Sequence, residues 1–275
     1  MVNGTETQTS PLSLFWWRSV PNFGDALSRL VVEYVSGREI QHSGVGGADL
    51  LAVGSVLQIA RRKFAERARP QGRTVVWGSG LLHPTPRDFL RNVDIVLLRG
   101  PVTAALLGLP GVAFGDPGLL IAEALGQAPT REDKIGIVPH HTQFDAETVD
   151  LLSEVDPAIA VIDPGGDARQ VCAQIGTCAH VYASSLHGLI VADAYGVPST
   201  WIDPGKQSHL KYHDYAASVG RAMIKPLGWE EIPGHIRGLK DQNALPHAEG
   251  IARAQAALHT HFPARLRAST HTGAA

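Results

Sequence analysis

Short apolar runs alternate with amphipathic helical patterns along almost the whole chain, and that alternation limits the fold more than any other feature of its 275 residues. "LSLFWW" (12–17), "ADLLAVGSV" (48–56), "TVVWGSG" (74–80), "DIVLLRG" (94–100) and "VAFGD" (112–116) are near-continuous apolar runs. Such runs suit strands buried on both faces of a parallel sheet. Between them, "GDALSRLVVEYVSG" (24–37) has helical spacing and a glycine where a helix C-terminus belongs. "PVTAALLG" (101–108) and "PGLLIAEALG" (117–126) are helices opened by proline. The polar segment "GQAPTREDK" (126–134) then breaks the pattern. A second series follows it: "KIGIVPH" (134–140), a helix over 145–155, "IAVID" (159–163), a helix over 168–178, "HVYASS" (180–185), a helix over 189–196 and "PSTWID" (198–203). "KYHDYAASVG" and the stretch beyond 250 are again helical. Two successive βα series predict an α/β protein of two doubly wound, Rossmann-like domains facing a cleft, divided into 1–127 and 128–275.

A hydrophobic content of 44% supports a substantial core, and a formal net charge of −2 argues against nucleic acid as a partner. Cys172 and Cys178 form no disulfide framework and are expected as reduced thiols. No apolar run approaches the roughly 18 residues of a membrane span, and "MVNGTETQTS" lacks a signal-peptide core. A cytoplasmic protein is therefore expected. One basic run stands out at 61–73, where Arg61, Arg62, Lys63, Arg67, Arg69 and Arg73 meet only Glu66. It is either a solvated helix face and loop, or a patch meeting a diphosphate or an anionic inner-membrane surface. In the latter case each basic residue contributes about 1 kcal/mol.

In doubly wound sheets ligands bind beyond the carboxyl ends of the strands, so the residues just after each run are the candidates. Arg99 precedes Gly100-Pro101 and a helix N-terminus, a pairing suited to carboxylate or phosphate; a salt bridge at the sheet rim is its plainer role. Asp116 either caps the following helix or orients Arg99 or the substrate. Asn22 and Asp25 follow the first run, as helix caps or as partners for a substrate hydroxyl. Ser79 lies in "GSGLL", which has neither the dinucleotide spacing nor the hydrolase elbow. His140 and His141 end the first run of the second series and point to the same cleft. Ser184, Ser185 and His187 stand at the seam between a strand and a helix, where histidine can donate a proton near neutral pH. Lys206 and Lys211 suggest a basic, anion-binding loop leading into a helix. His209 and His213 are four apart, yet no H-E-x-x-H is present, so no metal is expected.

The blocks "NFGDALS", "VWGSGLL", "VLLRGPVTAALLG", "GDPGLL", "GIVPHH" and "SSLHGLIVADAYGVPSTWID" together resemble the polysaccharide pyruvyl transferase family, in its order and spacing, from about residue 15 to 220. The resemblance implies a GT-B-like pair of domains, the first on the acceptor side and the second on the donor side. It implies transfer of pyruvate from phosphoenolpyruvate to two hydroxyls of one sugar, as a cyclic ketal, in exopolysaccharide biosynthesis. The acceptor would be a lipid-linked or nucleotide-linked oligosaccharide near the inner membrane face. The family's donor-binding arginine and histidine fall on Arg99 and His187. Where many members carry a second arginine this chain has Ser185, so that anion contact is either missing or supplied elsewhere, with Lys206, His140 and Lys211 as the candidates.

The residue types suit that chemistry on their own terms. An imidazolium at His187 can protonate the donor's methylene carbon, cations can hold its carboxylate and phosphate, and Asp25 can take a hydroxyl proton. Neither metal nor redox cofactor is called for. Two other readings share the fold. A GT-B glycosyltransferase would need a ribose contact, for which "DPGGDARQ" (163–170) offers carboxylates. A non-catalytic saccharide- or anion-binding protein would account for Ser185.

Overall fold

The computed structural model describes residues 10–126, 129–144, 157–239 and 244–268. The first apolar run forms β1 (Leu12–Phe15), and a loop leads from it into α1 (Phe23–Ser36). Asn22 caps α1 by accepting a hydrogen bond from the Gly24 amide (3.1 Å). Gly37 ends it in the left-handed conformation that the sequence predicts. Next come β2 (Ile40–His42), β3 (Leu50–Leu51), α2 (Leu57–Phe64), β4 (Thr74–Trp77), β5 (Val93–Leu97), α3 (Pro101–Leu107) and α4 (Ile121–Leu125). The five strands form one parallel sheet in the order β2-β1-β3-β4-β5.

Two runs in this half behave differently from their apolar pattern. The run 48–56 is strand only at Leu50–Leu51. Gly54 takes a φ of +96°, which turns the chain out of the sheet. The run 112–116 adds a single bridge, Leu98 to Phe114. Asp116 and Pro117 open a 3₁₀ turn (Pro117–Leu120) at once, and proline has no N–H to continue a ladder.

The second series forms β6 (Ile135–Val138), β7 (Ile159–Val161), α5 (Ala168–Thr177), β8 (His180–Ala183), α6 (Leu186–Ala194) and β9 (Ser199–Trp201). The helix expected over 145–155 lies outside the described residues. The four strands pair in parallel in the order β7-β6-β8-β9. The fold is therefore two Rossmann-like halves, as the alternation predicts. α7 (Leu210–Val219), α8 (Ile232–Ile236) and α9 (Ala248–His261) complete the described chain. Cys172 and Cys178 are buried free thiols. No helix among the described residues is long and apolar enough to cross a membrane.

One hydrophobic cluster runs through both halves. It takes in Leu12, Leu14 and Trp77 of the first sheet and Val138, Val181 and Ala183 of the second. Leu27 and Val31 of α1 and Leu189 and Ile190 of α6 lie between them. Every residue of α6 from Leu186 to Asp193 is buried, as befits a helix apolar on nearly all sides. α9 crosses back over the first half, where the Trp77 indole donates to the Leu258 carbonyl (3.0 Å).

Asp193, at the end of α6, ties these layers together. Its buried carboxylate accepts from the Tyr215 hydroxyl (2.6 Å), from Arg221 (2.9 Å) and from His247 (3.0 Å), the residue before α9. Removing one side of such a buried ionic network leaves its partners desolvated and unpaired. Asp193→Ala is therefore expected to lower unfolding free energy by about 3–5 kcal/mol. Urea denaturation measures this; an unchanged midpoint would show that the three contacts carry no net stability.

Candidate active site

A ligand crevice opens in a parallel α/β sheet where the strand order reverses. The reversal lies between β1 and β3 in the first sheet and between β6 and β8 in the second. The chain leaving these four strands lines one cavity of about 380 Å³. Asn22 and Asp25 follow β1, Gly54 and Ser55 follow β3, His140 and His141 follow β6, and Ser185 and His187 follow β8. Lys211 of α7 also lines it, and Trp17, half-exposed, and Arg62 stand on its wall.

His187 lies in the first turn of α6, behind the Ser185 N-cap, whose hydroxyl accepts from the Gly188 amide (3.3 Å). Gly24 packs directly on the ring, and a Cβ there would overlap it, nearest at Nδ1. The ring is 9% exposed, and its buried Nε2 has no hydrogen-bond partner. Burial, with Lys211, Arg99 and His140 nearby, pushes its pKa down to about 3. The ring is therefore neutral at neutral pH in the ligand-free protein.

Lys211 is 8% exposed. Burial and the Arg99 charge lower its pKa to about 8, against the pull of Asp25, so it remains an ammonium at neutral pH. Asp25 is the one carboxylate among the described residues lining the cavity. It accepts from the Asn22 amide group (2.9 Å). Burial raises its pKa to about 6, although Asn22 and Lys211 pull it down. His140 and His141 stack with ring centroids 4.2 Å apart. Burial, then the Lys211 charge, depresses both rings, His140 to about 3.

Several expected site residues stand behind the wall instead of on it. Arg99 is fully buried. Its Nε donates to Asp214 (3.0 Å), one terminal nitrogen to the Ser55 hydroxyl (2.6 Å) and the other to the Leu81 carbonyl (2.9 Å). Its guanidinium is spent on the protein and meets the cavity only through Ser55. Ser79 is bonded to the 54–56 loop, donating to the Gly54 carbonyl (2.8 Å) and accepting from the Val56 amide (3.2 Å). Ser184 accepts from the His140 amide (2.8 Å). Asp116 is the N-cap of its turn, accepting from Gly118 (2.9 Å), and burial raises its pKa to about 6. Lys206 is exposed and does not line the cavity. The carboxylates of 163–170 cap their own segment, Asp163 at Gly165 (2.7 Å) and Asp167 at Arg169 (3.0 Å).

Sequence reasoning missed Trp17, Ser55 and the role of Asp214. Ser55 sat inside a run expected to be strand, and nothing in the pattern marks Asp214 as the partner of a residue 115 positions earlier. Arg62 was visible only as part of a basic run. Among the described residues no group of three or more His, Cys, Asp or Glu is placed to hold a metal. His209 and His213 instead pack their rings on Trp201.

The profile of the polysaccharide pyruvyl transferase family matches residues 8–206. The succinoglycan biosynthesis protein ExoV of Rhizobium meliloti is 30% identical over 215 residues, covering 75% of this chain and 64% of that protein. An uncharacterized protein, L143, of Acanthamoeba polyphaga mimivirus is 32% identical over 161 residues, covering 54% of this chain and 55% of its own. The chain thus spans less than two thirds of the length of these relatives. A crystal structure of a functionally uncharacterized Klebsiella pneumoniae protein aligns with 76% of this chain and 88% of that one, at 12% identity and a TM-score of 0.45.

The contact between Gly24 and His187 makes a direct test of the site's packing. Gly24→Ala forces the ring or α1 to move, which admits water to the imidazole. The His187 pKa, near 3 in the native protein, should then rise toward the free value of about 6.5. Ring ¹⁵N resonances followed against pH report it. A His187 that still titrates near 3 in the variant would show that this packing is not what holds the ring neutral.

Proposed function

The chain belongs to the polysaccharide pyruvyl transferase family, and from that premise we propose that it transfers pyruvate from phosphoenolpyruvate to two hydroxyls of a saccharide residue, as a cyclic ketal, in exopolysaccharide biosynthesis. One observation carries the reading: a buried ammonium, a buried imidazole with a free nitrogen and a lone carboxylate share one cavity where both sheets reverse strand order.

Phosphoenolpyruvate has a carboxylate and a phosphate on a three-carbon frame, and binding it requires cations. Lys211 supplies one from within the cavity. The N-terminus of α6 adds its partial positive charge beside it. The donor's negative charge also opposes the burial and the Lys211 and Arg99 charges that keep His187 neutral. An anion within about 4–6 Å favours the protonated ring, so His187 gains its proton together with the donor.

The chemistry then divides between two side chains. His187 gives its proton to the methylene carbon, which becomes the methyl group, while a sugar hydroxyl oxygen bonds to the adjacent carbon. Asp25 takes that hydroxyl's proton. The second hydroxyl bonds to the same carbon as the bond from carbon to the phosphate oxygen breaks, and phosphate leaves with the second hydroxyl's proton. Asp25 and His187 return to their starting states through solvent. An acid or base so placed contributes about 10²–10⁴-fold, and holding both hydroxyls at one carbon adds more. Arg99 is a positioning residue in this scheme, acting through Ser55 and through Asp214.

The reading is tested by phosphate release from phosphoenolpyruvate, which should occur only when a saccharide acceptor is present. His187→Ala and Lys211→Ala should each lower kcat/KM by about 10²–10⁴-fold. Full activity in His187→Ala would remove the proposed acid. The pH profile carries a second expectation. Asp25 must be ionised to act as a base, and its pKa is raised to about 6. With the donor saturating, so that His187 already holds its proton, kcat should therefore fall as pH drops through the Asp25 pKa. The residual activity of Asp25→Asn should lack this acid limb; the same limb in the variant would assign it to another group.

A further inference from the structure

The basic run at 61–73 separates in the fold into two sets. Arg61 pairs with Asp88 (2.8 Å), Arg69 with Asp49 (2.6 Å), and Arg73 lies 3.8 Å from Asp94. Arg62, Lys63 and Arg67 are exposed and have no ion pair among the described residues. These three, with Arg69, line a groove of about 610 Å³ at the carboxyl end of α2, where Glu66 is the only acid. The groove is built into the fold. The Lys63 stem lies against Gly46, where a Cβ would overlap it, and Arg69 reaches across to the Gly47 carbonyl (3.4 Å). Arg62 lines both this groove and the cavity that holds Asp25, His187 and Lys211. Arg62 is therefore common to the cationic groove and to the cavity of the reacting groups.

Resting on the function proposed above, we propose that this groove binds the phosphate or diphosphate through which the acceptor saccharide is joined to its carrier, while the sugar passes Arg62 into the cavity. A neutral saccharide gives three unpaired cations nothing to meet. A diphosphate bridging Lys63 and Arg67 forms charge-assisted hydrogen bonds to them. Trp17, half-exposed on the cavity wall, offers a flat apolar face to the sugar beyond. Lys63 and Arg67 do not line the cavity itself, so the groove can be altered separately from the reacting groups.

The test is calorimetric titration of inorganic pyrophosphate into the native protein and into Lys63→Ala/Arg67→Ala. The native protein should bind it saturably and more tightly at low ionic strength. The double variant should bind roughly tenfold or more weakly, the scale of a lost charge-assisted contact. Equal affinity in the two proteins would overturn the proposal. Binding by the double variant to phosphatidylglycerol vesicles, compared with phosphatidylcholine, distinguishes the source of phosphate. Vesicle binding that needs Lys63 and Arg67, with no pyrophosphate binding, would also overturn it, in favour of a membrane surface. Since pyrophosphate binding needs no turnover, it stands apart from the reaction. If phosphoenolpyruvate is never consumed while the variant loses pyrophosphate, the function fails and the anion groove remains. With an acceptor in hand, the KM advantage of its diphosphate-linked form over its simple glycoside should shrink in the double variant. Retention of that advantage would count against the groove.

Discussion

A fully buried ion pair, Arg99 with Asp214, joins the two halves of the protein behind the candidate site. Arg99 follows β5 in the first half, and Asp214 sits on α7 in the second. Two charges withdrawn from water are costly unless their remaining hydrogen-bonding capacity is filled. Here it is filled. Asp214 also accepts from the Thr103 amide (2.8 Å) and hydroxyl (2.7 Å), and Arg99 spends its other nitrogens on Ser55 and Leu81. Lys211 lies one helical turn before Asp214, so anchoring the carboxylate carries the ammonium into the cavity. Ser55 lines the opposite wall. One pair thus positions a cation from one half and a loop from the other.

The electrostatic character of the cavity follows from that arrangement. Burial first, then Lys211 and Arg99, disfavour a proton on His187, and burial followed by Lys211 does the same to the two rings after β6. The cavity holds neutral imidazoles around a buried ammonium, and burial raises the Asp25 pKa to about 6. Such a site accepts negative charge readily, because every group that resists protonation when it is empty is relieved when an anion enters. The same logic, in a wetter setting, applies to the groove beyond Arg62, where solvent screens each cation and only a multiply charged group gains much from meeting several.

The parts of this site legible in the sequence are those set by local pattern. Asp25, His140 and His187 each stand just past an apolar run, and all three line the cavity. Arg99 stands in the same relation to its run, yet lies behind the wall, because its partners come from residues 55, 81 and 214, which no local pattern links. Lys206 and Lys211 read alike as members of one basic segment. Only Lys211 turns inward, since it lies on the face of α7 that Asp214 fixes. The run at 112–116 looked like a strand by composition, but Pro117 and its Asp116 cap ended it after one bridge.

What the sequence determined by itself was the alternation of strand and helix, its division into two series, and the set of polar residues at strand ends. Those depend on periodicity and on glycine and proline chemistry within a few residues. What the tertiary structure decided was the order of the strands, and with it which ends face one another, which basic residues are neutralised and how deeply each is buried. These depend on contacts between residues far apart along the chain, about which a period of two or 3.6 carries no information.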